Sequence, residues 1–313
     1  VGNTASGPYT TVGGGQFNDA IGGYATVAGG STNTASSEYA TVAGGRQNSA
    51  SSDYTTVAGG RNNTASNQYA TVGGGNFNKA SNSNATVGGG GANTASGPYA
   101  TVGGGLSNFA SVSYATVGGG YLNTASGEFA TVGGGVTNTA IGGYATVAGG
   151  WANTASNQFA TVVGGRYAIA DRYGMQAYAA GRFVNNGDAQ ISTFVLRNAT
   201  SNNTATTLLL DGNSQRLTIS DNEILAFTAT ICGTREGLAD QSMFVRRGII
   251  KRVGGTTSIV GSVQTIGTDI TAAGTSVSLT ADTLNNALQI DVVGVAGENW
   301  RWVARVEAVE IAY

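Results

Sequence analysis

A fifteen-residue unit returns ten times in a row, and few folds can accommodate so short a period. Its first copy reads Thr11-Val12-Gly13-Gly14-Gly15-Gln16-Phe17-Asn18-Asp19-Ala20-Ile21-Gly22-Gly23-Tyr24-Ala25, and later copies start at Thr26, Thr41, Thr56, Thr71, Thr86, Thr101, Thr116, Thr131 and Thr146. The residues before Thr11 match the back two-thirds of a further unit, so the chain is expected to be cut from something longer. Fifteen residues is too short for a helical hairpin. It suits one turn of a narrow parallel β-roll, whose coils bury their inner faces only against their neighbours.

Within the unit, Tyr-Ala-Thr-Val and Asn-Thr-Ala-Ser are each long enough for a strand of about four residues, and the Gly run and variable Gly/Ser/Asn/Pro positions between them are turn chemistry. Alternation places Ala25, Val27, Ala35 and their equivalents inside, with Tyr24, Thr26, Thr34 and Ser36 outside. The eighth position is Asn in every unit, from Asn18 to Asn153, and is read as an internal amide ladder that satisfies turn backbone groups. Tyr24, Tyr39, Tyr54, Tyr69, Tyr99, Tyr114, Phe129, Tyr144 and Phe159 form an outward aromatic column broken at Asn84. Such a stripe asks for a partner, so several rolls are expected to pack around an axis with this column as the oligomer contact. The variable pairs Gln16-Phe17, Asn76-Phe77, Tyr121-Leu122 and Trp151-Ala152 are the part of the unit left for binding.

Composition separates the two halves. Of 51 Gly, 35 fall in residues 1–160, where the only charges are Arg46, Arg61, Lys79, Asp19, Glu38, Asp53 and Glu128. With a formal net charge of −2, the chain lacks the basic excess that nucleic acid or anionic lipid requires. No apolar run approaches the ~20 residues that cross a bilayer as a helix. The Gly triplets lack the Lys-Ser/Thr of a phosphate loop and the alternating Asp of calcium β-rolls, and the sequence has no His, so no metal or cofactor is expected. The repeat pattern Ala-Ser-Gly-x-Tyr-Ala-Thr-Val-Gly-Gly-Gly resembles the head repeats of trimeric YadA-type adhesins, which implies a trimeric β-roll over residues 1–165.

Residues 166–188 lose the register and gain charge, and Arg166, Tyr167, Asp171, Arg172 and Met175 are read as a cap and neck over the last coil. From residue 189 to 313 short branched or alternating runs follow one another: Ile191–Arg197, Thr206–Leu210, Gln215–Ile219, Ile224–Cys232, Met243–Arg252, Ser258–Ile266, Ser276–Thr280, Ala287–Val293 and Trp300–Ile311. With turn signals between them and no helical period, they predict an antiparallel β-sandwich. The last run places Trp300, Trp302, Ala304 and Val306 on one face, read as core rather than as a sugar platform. The fold class expected is therefore all-β: a β-solenoid of fifteen-residue repeats followed by a sandwich tip, assembled as a homotrimer.

The block from Gly181 to Arg197, then Leu209 to Thr218 and the closing Asn299 to Glu307, resembles the C-terminal domain of tailed-phage and prophage tail fibres. That resemblance implies a trimeric tip of a virion tail, joined to upstream fibre or baseplate segments, that contacts bacterial cell-surface polysaccharide. Candidate receptor-binding residues lie in tip loops: Arg235, Glu236, Asn285, Asn286 and Glu298.

Chemistry has few candidates. Without His the usual nucleophilic triads are missing, and Cys232 sits in an apolar run that suggests an inert buried thiol. A glycan-cleaving site needs two carboxylates ~5–9 Å apart, for which Asp221/Glu223 and Glu307/Glu310 are the nearest pairs in sequence. Arg246, Arg247, Lys251 and Arg252 form a basic cluster read as a solvated edge strand rather than an acidic-glycan site. The expectation is adhesion without catalysis. Its rivals are a trimeric adhesin head on a bacterial surface, a polysaccharide depolymerase and a structural spacer.

Overall fold

The computed structural model describes residues 2–313 and is all-β, with a single three-residue 3-10 turn at Glu236–Leu238. It consists of a β-solenoid of about 12 parallel turns and an antiparallel sheet structure that follows it. By compactness the chain divides into a unit ending at Ala155 and a unit spanning Ser156–Tyr313.

In the first unit each coil contributes two strands of only two residues, such as Thr26–Val27 and Thr34–Ala35. Each pairs in parallel with the residue fifteen positions on: Thr26 with Thr41, Thr34 with Ser49. A third column of single bridges runs through Gln16, Ser31, Arg46 and their equivalents, so the coil has three sides where two strands of about four residues were expected. The reason is backbone conformation. Tyr24 and Phe17, at the fourteenth and seventh positions, are left-handed (φ 58° and 54°), and this recurs in every coil, so the chain turns where a longer strand would have run.

The fifth position is glycine for a steric reason. Gly90 has φ +85°, and a Cβ there would lie 2.1 Å from the carbonyl oxygen of Gly105. Inside the coil, Ala25, Val27 and Ala35 and their equivalents in the later coils have no exposed surface, as alternation predicts. Only such small side chains fit between backbones this close. The Asn ladder is internal as well. Asn93 Nδ2 donates to the carbonyls of Gly89 and Gly105 at 2.8 and 2.9 Å, and its Oδ1 accepts the Asn108 N–H at 2.9 Å. Each buried amide thus closes one turn and clamps it to the next coil.

In the second unit Thr161–Gly165, Ile169–Ala170 and Gln176–Ala179 form a last coil, with Met175 in the place held in the repeats by Ala or by Thr10 and Thr55. Gln176–Ala179 then pairs antiparallel with Ala189–Thr200. That strand pairs with Trp300–Ala312, which pairs with Glu223–Arg235, which pairs with Gln241–Val253, making a sheet of four long strands. A smaller sheet centres on Ala287–Val293, flanked by Ser276–Asp282 on one side and by Thr206–Thr207 and Leu217–Thr218 on the other. The sandwich core takes Phe194, Leu196, Leu225, Ile231, Trp300 and Trp302 from the large sheet and Leu208, Leu217, Leu288 and Ile290 from the small one. The run read as Ser258–Ile266 is two short strands, Thr256–Ile259 and Gln264–Thr265, broken at Gly261 with φ +71°.

Candidate functional site

The large sheet ends in a cleft built on its two tryptophans. Trp300 and Trp302 are buried and stack with centroids 5.5 Å apart, so they are core, as the alternation of the last strand requires. Gly233 pairs with Trp302, and a Cβ there would fall 2.2 Å from the indole ring, so only glycine lets the ring lie flat. Each indole N–H finds an acceptor at the rim: Trp302 donates to Thr200 Oγ1 at 3.1 Å and Trp300 to Glu298 Oε2 at 3.2 Å.

Above them opens a cleft of about 460 Å³ lined by Ala199–Ser201, Thr234–Leu238 and Asn299–Arg301. Arg235 reaches Glu298 Oε1 through Nη1 at 2.7 Å and Asp240 Oδ2 through Nε at 3.2 Å. Asn299 Nδ2 donates to Glu236 Oε2 at 2.9 Å, and the Glu236 N–H donates to the Asn299 carbonyl at 2.9 Å. Arg235, Glu236 and Glu298 are therefore one cluster, joined by Asp240 and Asn299, which sequence reasoning missed. The strand register that brings Arg235 opposite Trp300 is what gathers them. The lining presents the Glu236 carboxylate, the Arg235 and Arg301 guanidinium groups and the Asn299 amide, with Glu298 and Asp240 paired to Arg235. Such a set can donate to and accept from several hydroxyl groups at once.

Asn285 and Asn286 lie elsewhere. They form the turn after Ser276–Asp282, where Asp282 accepts the N–H groups of Leu284 and Asn285 and the Asn285 side-chain amide. Asn286 is left-handed (φ 54°) and accepts a bond from Thr257 Oγ1. Thr257 pairs with Arg252, and Arg252 with Glu223, so this turn sits by the opposite end of the strand that finishes at Arg235. Twelve residue steps of ~3.3 Å put roughly 40 Å between the two ends.

The same end holds a buried ionic cluster absent from the sequence reading. The Arg172 guanidinium contacts Glu223, Glu310 at 3.3 Å and Asp171 at 3.4 Å, and donates to the Thr218 carbonyl at 2.7 Å. Glu310 also accepts from Ser192 and from Gln190 Nε2 at 2.6 Å. Burial disfavours the Arg172 charge, but Glu310 and Glu223 outweigh it and hold its pKa above the ordinary value. Burial pushes the Glu310 carboxyl up, against the pull of Arg172. The sequence pairs Asp221/Glu223 and Glu307/Glu310 are thus split in different ways: Asp221 stays in the exposed turn before the strand that begins at Glu223, and alternation separates Glu307 from Glu310. Glu223 and Glu310 go inward and approach the same guanidinium, while Glu307 faces solvent and bonds Arg305. The one signal for this was a charge at the coil position of Arg172, which is Gly, Ser, Asn or Val in every earlier unit.

Alternation overturns two further expectations. Cys232 is exposed, because Ile231 takes the inward place on its strand. The basic cluster is divided between the two faces of Gln241–Val253, which is not a bare edge but is flanked by Thr256–Ile259 and Gln264–Thr265. Arg246 there donates to the two Asp269 carboxylate oxygens through Nη1 and Nη2, each at 2.6 Å, and Arg247 donates to Gln264 at 2.9 Å.

The aromatic column stands outward and stacks on itself. Ring centroids are 4.8 Å apart for Tyr24–Tyr39, 5.0 Å for Tyr54–Tyr69 and for Tyr99–Tyr114, and 4.7 Å for Tyr114–Phe129. Stacking covers the ring faces within one chain and leaves the edges to solvent. The variable residues Phe17, Phe77, Tyr121, Leu122 and Trp151 are exposed. Among the described residues no group of His, Cys, Asp and Glu side chains is placed to hold a metal ion, and no helix is long and apolar enough to cross a membrane.

No protein-family model matches the sequence, and no curated protein is significantly similar to it. Among solved structures, the chain is similar to a tailspike protein of Acinetobacter baumannii bacteriophage Fri1, described as a capsular polysaccharide depolymerase, at 8% identity and TM-score 0.25, covering 94% of this chain and 69% of that one. It is also similar to the tailspike protein of Acinetobacter baumannii phage AM24, at 6% identity and TM-score 0.26, covering 95% and 68%. The expectation of adhesion without catalysis is corrected on this point, since a protein described as an enzyme stands among the similar structures. Both of these solved structures are phage tailspike proteins.

Proposed function

We propose that the chain is a segment of a phage tail protein that engages a bacterial cell-surface polysaccharide through the sandwich cleft at Arg235, Glu236 and Glu298. The cleft carries this reading: it is open, rimmed by charged and amide groups, and floored by the buried Trp300 stacked on Trp302. The tail-fibre-like blocks around Gly181–Arg197 and Asn299–Glu307 support the virion setting. Replacing Arg235 by Ala removes charge-assisted bonds worth about 1.5–3 kcal/mol, so binding to capsulated host cells falls about 10- to 150-fold. Unchanged binding removes the cleft from the proposal.

Cleavage of the bound polysaccharide is the second reading, favoured by the Glu236 carboxylate in the cleft lining and by Asp240 and Glu298, which pair with the lining Arg235. New reducing ends from capsule incubated with the full chain, lost in Glu298→Gln, establish it.

Assembly as a homotrimer belongs to the same proposal. The outer face of the large sheet leaves Ile191, Val195, Val303 and Val309 about half exposed, an apolar surface of the kind that partner copies cover. The edges of Tyr24, Tyr39, Tyr54 and the rest of the ring column are a second surface for it. A solution mass of one chain at micromolar concentration overturns that assembly.

A further inference from the structure

The ring column has a missing rung. Tyr9, Tyr24, Tyr39, Tyr54 and Tyr69 stack without interruption, and stacking resumes from Tyr99. Between them the fourteenth position is Asn84. Its backbone keeps the conformation of the other rungs, with φ 58° against 60° for Tyr69 and 57° for Tyr99. The coil-to-coil hydrogen bonds also continue, from Asn84 N–H to the Gln68 carbonyl at 3.0 Å and from Tyr99 N–H to the Ser83 carbonyl at 2.9 Å. Only the ring is absent. Two strand spacings, about 9.6 Å, therefore separate the rings of Tyr69 and Tyr99, and the faces they turn toward each other are uncovered beyond the short Asn84 side chain. Tyr69 and Tyr99 are 48% and 51% exposed, a little above the 41–46% of Tyr24, Tyr39, Tyr54 and Tyr114, whose two faces are both stacked.

We propose that the slot between Tyr69 and Tyr99 binds one pyranose ring of a polysaccharide, with the Asn84 carboxamide bonding its hydroxyls. This rests on the reading that the chain engages polysaccharide and adds a second site on the solenoid. The slot admits one ring at the spacing the ladder itself uses. Sugar C–H groups pack on the electron-rich faces of tyrosine rings. Among the described residues neither the Asn84 nor the Gln68 side-chain amide makes a hydrogen bond, so both can bond a ligand. A planar apolar guest would leave those amides unmatched, whereas a sugar pairs with them.

The test exploits the repeat. Asn84→Tyr restores the rung found in neighbouring coils, so the variant folds, and it fills the slot. With cellohexaose, maltohexaose and chitohexaose as probes, the full chain is expected to bind at least one, and Asn84→Tyr to weaken that binding about two- to tenfold. Tyr99→Asn, which removes one wall, weakens it as well. The opposite pattern, with Arg235→Ala abolishing hexasaccharide binding and Asn84→Tyr leaving it unchanged, overturns the slot while keeping the cleft. Loss in Asn84→Tyr with binding to capsulated cells unaffected by Arg235→Ala supports the slot and overturns the cleft. If none of the three probes binds, the slot is overturned. Asn84 is also comfortable in a left-handed conformation, and a purely conformational role would show as unchanged affinity in both Asn84→Tyr and Asn84→Gly.

Discussion

In the solenoid every strand pairs with a residue fifteen positions away, and in the sandwich Ala189–Thr200 pairs with Trp300–Ala312, a hundred or more residues on. The solenoid buries Ala and Val and holds its turns with one amide per coil. The sandwich buries Phe, Leu and two Trp and holds its ends with ion pairs. The contrast teaches that the two units distribute stability differently. A coil depends on its two neighbours, so damage stays near the lesion. A sandwich core is shared by strands from all over the unit, so damage reaches everything.

The largest effect tests the shared core. Trp302→Ala removes a fully buried ring stacked on Trp300, and a loss of about 3–5 kcal/mol is expected. Hydrogen exchange across the whole of 189–313 should rise together while residues 11–150 keep their protection; loss confined to a few strands would break the comparison.

Asn93→Ala removes the partner of the Gly89 carbonyl and of the Asn108 N–H, while the Gly105 carbonyl keeps the Gly91 N–H, at a cost of about 1–3 kcal/mol. Here exchange should rise in the coils around residues 78–120 alone. Spread to all coils would mean that the solenoid folds as one cooperative body.

Acid separates the units by charge. Asp269 is held low by its bonds to Arg246, and in Asp188, Asp211 and Asp282 burial pushes the pKa up but backbone N–H donors outweigh it. A depressed carboxyl adds stability that is present above its unfolded pKa of about 3.9 and is lost as pH falls through the folded value. Glu310 has the opposite sign: raised, it contributes most below its unfolded pKa of about 4.3, and that contribution fades as pH rises through its folded value. Four depressed groups against one raised group predict that the sandwich weakens below about pH 4. The solenoid, with only Asp19, Glu38, Asp53 and Glu128 in its ten repeats, should change less. Urea unfolding at neutral and acid pH, followed by exchange in each unit, checks this, and a solenoid that weakens more than the sandwich would refute it.

The smallest effect sharpens the role of stacking. Tyr114→Asn opens a second gap between Tyr99 and Phe129 and is expected to cost about 1 kcal/mol. A shift of several kcal/mol, or none, in thermal unfolding would show that the column does something other than stack on itself.

Much of this was legible in the residue order. The Asn column, the Ala and Val interior and the alternation of Trp300, Trp302, Ala304 and Val306 all follow from periods of fifteen and two, and the structure places each where those periods put it. Ala287–Val293 was bounded correctly at both ends, because turn signals flank it. The three-sided coil was not legible, since left-handed Tyr24 and Phe17 are not what their residue types suggest. Of the candidate site, Arg235, Glu236 and Glu298 proved neighbours, while Asn285 and Asn286 belong to a turn at the other end. All five sat in turn-like stretches that look alike in one dimension.

By itself the sequence determined that the chain repeats in parallel coils with a small-residue interior, because a constant period makes every contact a copy of the last. It also determined which strand faces of the second half are apolar, because alternation is a local property of extended backbone. Only the tertiary structure decided that Arg172 meets Glu223 and Glu310, 51 and 138 residues away, and that an aromatic stripe covers its own ring faces. Those depend on register between distant strands and on the rise between coils, which no single stretch of sequence encodes.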